Sequence, residues 1–129
     1  MKMKEKEKMP KKQAVPGDWL YMTEQEIKLR RLKEIFTEND PFEVEFWEEA
    51  GVLEVMMPDG NSVDIETAQI HPKDVLTQTF ADAHQVKTVF LVTFKPECYE
   101  NAKKVMDKIL GETGGFFCGD TENFEPMYR

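Results

Sequence analysis

At 129 residues and 15.1 kDa, with 40% apolar and 33% charged residues, the chain has the length of one domain and enough apolar content to bury a core. The formal net charge of −8 argues against nucleic acid or an anionic membrane as a partner, because both reward Lys and Arg. No apolar h-region follows the first residues, and the longest apolar run, Val89–Val92, falls far short of a membrane span, so a cytoplasmic protein is expected.

Residues 1–15 read as a disordered basic tail, with residues 16–129 as a single α+β domain. Within residues 1–14, six lysines (Lys2, Lys4, Lys6, Lys8, Lys11, Lys12) stand against Glu5 and Glu7, a local net of +4. The other 115 residues therefore carry −12. From Glu34 through Pro72 there are eleven acids and no Lys or Arg, which mixed surface patterning does not produce.

Pro16-Gly17 signals a turn, and the packed domain begins at Trp19. Thr23 with Glu26 forms a capping-box pattern, with Met22 and Ile27 as a hydrophobic staple, so a first helix is predicted from Thr23 to about Glu38. Leu29, Leu32, Ile35 and Phe36 supply its apolar stripe. The period then changes to two. Phe42–Phe46, the stretch Leu53-Glu54-Val55, and Ser62–Glu66 alternate as half-buried strands.

Met57-Pro58-Asp59-Gly60-Asn61 joins the last two as a hairpin. A two-residue Asp-Gly loop would pair Val55 with Asp64 and place unlike residues on one face. A three-residue loop with Gly60 left-handed pairs Val55 with Val63 and Leu53 with Ile65, so the buried faces agree. Carried one strand back, that register puts Glu45, Glu54 and Asp64 in a row on the outer face. Glu43 and Glu66 extend the row, and Trp47, Val52 and Met56 share the face.

A second helix is predicted from Pro72, with Leu76, Phe80 and Ala83 on its buried side. The nearly continuous apolar run Lys87–Phe94 predicts a central strand covered on both faces. A third helix, Pro96 to about Leu110, buries Cys98, Ala102, Val105 and Ile109 and stops at Gly111. Phe116-Phe117-Cys118 forms a last short strand, parallel to Lys87–Phe94 if the β-α-β unit crosses over. The order α-β-β-β-α-β-α-β gives α+β, with helices on one face of a mostly antiparallel sheet.

Catalytic signals are sparse. His71 and His84 lie thirteen positions apart and read as capping or surface residues; no CxxC or HExxH spacing occurs, and neither metal nor cofactor is expected. Ser62 has no GxSxG context, and arginine is restricted to Arg30, Arg31 and Arg129. The surviving candidate is Cys118 with Asp120, and His84 as base, in a glycine-flanked segment. Cys98 and Cys118 otherwise read as reduced, buried thiols.

The leading expectation is a non-enzymatic binding protein whose acidic face (Glu43, Glu45, Trp47, Glu54, Asp64, Glu66) engages a basic protein, such as an inhibitor or immunity-type protein covering a cationic nuclease or toxin. The alternatives are a small enzyme or ligand-binding domain with a pocket near Cys118 and Asp120, and a homodimer whose acidic face is merely solvated.

Overall fold

A chain stays extended only if partner strands take up its backbone hydrogen bonds, and seven segments here meet that demand. The structure, a computed structural model, describes residues 15–129. The expected disordered tail falls on residues outside those described, except Val15, which packs half-buried against the core.

In chain order the elements are β1 Asp18–Thr23, α1 Leu29–Ile35, β2 Glu43–Trp47, β3 Val52–Met56, β4 Ser62–Thr67, α2 Val75–Ala83 and β5 Thr88–Thr93. A 3-10 turn, Pro96–Cys98, leads into α3 Tyr99–Thr113, followed by β6 Phe116–Gly119 and β7 Met127–Tyr128. The strands form one sheet in the order β2-β3-β4-β5-β1-β6-β7, antiparallel at every pairing. The α+β class is as expected; the element order is not. β1 precedes the first helix and lies between β5 and β6, so those two strands run parallel to each other without touching.

Two cores flank the sheet. Trp19 and Tyr21 of β1 point one way, with Leu53, Val55, Val63, Ile65, Phe90, Val92 and Phe117, and α1 and α3 cover them. Leu20 and Met22 point the other way, with Phe116, Cys118 and Phe124, and Phe80 of α2 packs there with Val89 and Leu91. Two helices therefore cover one face and α2 covers part of the other, which corrects the expectation of helices on one face only. The physical reason lies in β1, β5 and β6. They are apolar on both sides, and a sheet buried on one side would leave Leu20, Met22 and Phe116 in water.

The helix boundaries differ from the sequence reading for local reasons. Thr23 does not cap α1; it ends β1, where its hydroxyl accepts from Gln25 N at 3.1 Å and donates to Thr113 O at 3.4 Å. The helix starts six residues later without a side-chain cap, and its predicted stripe of Leu29, Leu32, Ile35 and Phe36 is buried. Pro72 lies in the turn before α2, and Asp74 is the N-cap, accepting from Thr77 N at 3.1 Å. Of the predicted α2 stripe only Phe80 packs inward, while Leu76 is 56% exposed and Ala83 is exposed. Gly111 lies inside α3, which ends at Gly114 with φ +68°. Gly115 follows at φ +82°, where a side chain would collide with the Met22 carbonyl oxygen.

Candidate functional site

The meander carries the register read from its sequence. Val55 pairs with Val63 and Leu53 with Ile65, and Gly60 is left-handed at φ +89°. Met57 N donates to Asn61 O at 2.8 Å, closing a three-residue loop over Pro58-Asp59-Gly60, and Asp59 Oδ1 accepts from Asn61 N at 2.9 Å inside it. Phe46 pairs with Leu53, so Glu45 faces Glu54 and Glu54 faces Asp64.

The row continues further than the meander. Asp64 pairs with Thr93 and Thr93 with Asp18, while Asp120 N donates to Asp18 O at 3.0 Å in the next step of the same ladder. Four of the line's residues neighbour ones committed to the larger core (Trp19 beside Asp18, Leu53 and Val55 beside Glu54, Val63 and Ile65 beside Asp64, Val92 beside Thr93), and Asp120 lies two along from Cys118 of the smaller core. Strand alternation therefore turns all their side chains to the opposite face, the one shared with α2. The result is an acidic line, Glu45–Glu54–Asp64–Thr93–Asp18–Asp120, across five strands and the residue that follows β6. From the sequence the row ends at β4, because the pairing of β4 with β5 is not evident there and β1 is not recognised as a strand.

Four of the eleven Lys and Arg among the described residues are in ion pairs, all away from the line, while Lys95 borders it, sharing a hollow with Asp64 and Thr93. Arg30 bonds Glu48, Arg31 approaches Glu112 at 3.9 Å, Lys103 meets Glu100 at 3.1 Å and Lys108 meets Asp40 at 2.9 Å. No ion pair among the described residues reaches the line. Its polar partners are neutral: Ser62 Oγ donates to Asp64 Oδ1 at 3.0 Å, and Thr93 Oγ1 lies 3.5 Å from Asp18 Oδ1. At the far end Asp120 titrates above the ordinary carboxylate range, because it is partly desolvated and faces the charges of Asp18 and Asp74.

Flanking positions set the character of the surface. Glu43, Met56 and Ser62 lie on one side of the line, and Trp47, Val52 and Glu66 on the other. Over β5, β1 and β6 that second side is roofed by α2 and the 68–74 segment. Over β2, β3 and β4 it stays open: Trp47 is 46% exposed and Val52 and Met56 are half-buried.

Cys118, His84 and Asp120 are held in three different settings. Cys118 is fully buried beside Leu20, Met22 and Phe124, and burial together with the nearby Asp120 charge pushes its thiol up to about 12. His84 caps the end of α2, with Nδ1 2.9 Å from Phe80 O and its ring against Phe80 and Phe116. No hydrogen bond among the described residues joins it to the thiol, and burial disfavours the thiolate that nucleophilic attack needs. His71 accepts from Lys73 N at 3.0 Å in the exposed turn before α2.

Asp120 instead lines a hollow of about 250 Å³ with Leu20, Ile70, Asp74 and Leu91, from which Cys118 is absent. A larger hollow, about 660 Å³, is an open groove between the Glu26–Arg30 segment and the Phe46, Thr67 and Val89 ends of the strands. Among the described residues no group of three or more His, Cys, Asp or Glu could hold a metal ion, and no helix is long and apolar enough to cross a membrane. No family model, curated protein or solved structure matches the chain.

Proposed function

We propose that the open part of the acidic face, Glu43, Glu45, Glu54, Asp64 and Glu66 around Trp47, is a docking surface for a basic protein. The observation that carries this reading is the row of carboxylates lined up across β2, β3 and β4 beside a large exposed aromatic. Facing like charges cost a sheet a few tenths of a kcal/mol each, up to about 1 kcal/mol. A cation-bearing partner recovers that cost on binding, and the field steers its approach. Trp47 supplies the apolar anchor that charge alone lacks. In its narrower form the partner is a cationic enzyme whose active site this face covers.

The test is titration with a lysine- and arginine-rich peptide at low and high salt, followed by fluorescence anisotropy and by the emission of Trp47, with Trp47→Phe as the reference. The unmodified chain binds at low salt and releases the peptide at high salt. Combined E45K, E54K and D64K substitution abolishes binding, whereas E38K, E97K and E122K, an equal change of charge at exposed positions elsewhere, leaves most of it. Equal loss in both triple variants would show that only net charge acts, and the reading would fail.

A further inference from the structure

We infer that residues 1–14 are themselves an occupant of this acidic face, folding back over it as a tethered competitor for the basic partner. The inference rests on the docking-surface reading above and concerns how that surface is regulated.

Three observations carry it. The first is charge. The segment is the most cationic stretch of the chain, a net of +4, and the surface is the most anionic part of the sheet. The second is the point of attachment. Gly17 O accepts from Phe94 N at 3.1 Å and Pro16 O from Trp19 Nε1 at 2.9 Å. These bonds fix the chain's entry next to Asp18, which is itself a member of the acidic line. Lys11 and Lys12 precede Asp18 by seven and six residues, and Asp120 is Asp18's neighbour in the ladder.

The third observation is reach. From Asp18 on β1 to Glu45 on β2 the line crosses four strand spacings, a distance of about 19 Å at ~4.8 Å each. Fourteen extended residues span up to about 46 Å at ~3.3 Å each, enough to carry Lys2, Lys4, Lys6 and Lys8 over β4, β3 and β2. In an extended chain these four lysines, at every second position, project to one side. A single cationic edge can then meet a single row of carboxylates.

Tethering gives such a segment a high effective concentration at the surface, so even weak contacts compete with a partner arriving from solution. Salt weakens both contacts together, because both are made between exposed charges.

Two measurements on the full chain test this. The first is zero-length carbodiimide cross-linking at high dilution, with the linked peptides of the monomer read by mass spectrometry. Links from Lys2, Lys4, Lys6, Lys8, Lys11 and Lys12 should concentrate on Glu45, Glu54, Asp64, Asp18 and Asp120, and should vanish at high salt. Links spread over Glu97, Glu100 and Glu122 as readily as over the line, or no links, would overturn the inference.

The second is the peptide titration repeated with all six lysines changed to Gln. Affinity for the cationic peptide should rise on the order of five- to tenfold at low salt, the competitor having been removed. An unchanged affinity overturns the inference while leaving the docking surface standing. Cross-links on the line, with no peptide bound by either form, leave the inference standing and overturn the docking surface instead.

Discussion

Glu54 sits at the centre of the acidic line, directly opposite Glu45 on one side and Asp64 on the other. Changing it to Lys removes two repulsions and creates two attractions. At roughly 0.3 kcal/mol for each of these four changes, the low end expected for partly solvated cross-strand pairs, the gain is about 1 kcal/mol. For a domain of this size that is a rise in Tm of about 4 °C at low salt. Glu54→Gln, which only relieves repulsion, should give about half.

The substitution also moves the formal net charge from −8 to −6. Glu97→Lys makes the same change at an exposed position on the 3-10 turn and serves as the control. Thermal unfolding followed by circular dichroism, in low and in high salt, measures all three. The gain from Glu54→Lys should exceed that from Glu97→Lys and shrink at high salt. It should be larger where the lysines of residues 1–14 are Gln, since a tethered counter-charge already offsets part of the repulsion. A Tm unchanged or lowered in both backgrounds would refute the register argument.

Three further expectations test other parts of the structure. Native Cys118 should resist iodoacetamide and react only after unfolding. Because its folded pKa is raised to about 12 from 9.0, the unfolded chain ionises first and stability falls as pH rises above about 9. The loss is about 1–2 kcal/mol by pH 10, visible as a lower urea midpoint; a Cys118→Ala chain that loses stability just as steeply over this range would contradict it. Asp120 is the mirror case: its raised pKa means the folded state resists the charge, so Asp120→Asn should stabilise at pH 7 and lose that advantage as pH falls below the carboxylate range. A chain stabilised equally at pH 3 and pH 7 would show that charge is not the cause. Gly60 and Gly115 share a left-handed backbone but not their surroundings. Gly60→Ala should cost about 1 kcal/mol through strain alone, while Gly115→Ala should cost at least twice that through collision with Met22; equal urea midpoints for the two would refute the close approach.

The meander was legible because its instructions are local. Alternation names the two faces, and the Pro58-Asp59-Gly60 loop length sets the register between β3 and β4. Leu29, Leu32 and Ile35 on α1, and Ala102, Val105 and Ile109 on α3, were legible for the same reason: a helix buried on one side writes its period into the sequence. Failure came where local signals were ambiguous. Thr23 and Glu26 carry the pattern of a capping box, yet the Thr23 hydroxyl is taken by Gln25 and by Thr113, ninety residues away. The α2 stripe failed because that helix packs on the sheet-side cluster through Phe80 and buries only Ala81 fully, too narrow a footprint to impose a period.

By itself the sequence determined the fold class, the pairing of β2, β3 and β4, and the alignment of Glu45, Glu54 and Asp64, since each depends on residues close together in the chain. Only the tertiary structure decided that Trp19-Leu20-Tyr21-Met22 is a central strand. With apolar residues on both faces it shows no alternation, and its partners β5 and β6 lie roughly seventy and a hundred residues away along the chain. That one insertion, between β5 and β6, gives the sheet a second apolar patch, which α2 covers over β5, β1 and β6. Together with the pairing of β4 and β5 it prolongs a three-residue acidic row through Thr93 and Asp18 to Asp120, because a line of side chains across a sheet is a property of strand order, which no local pattern records.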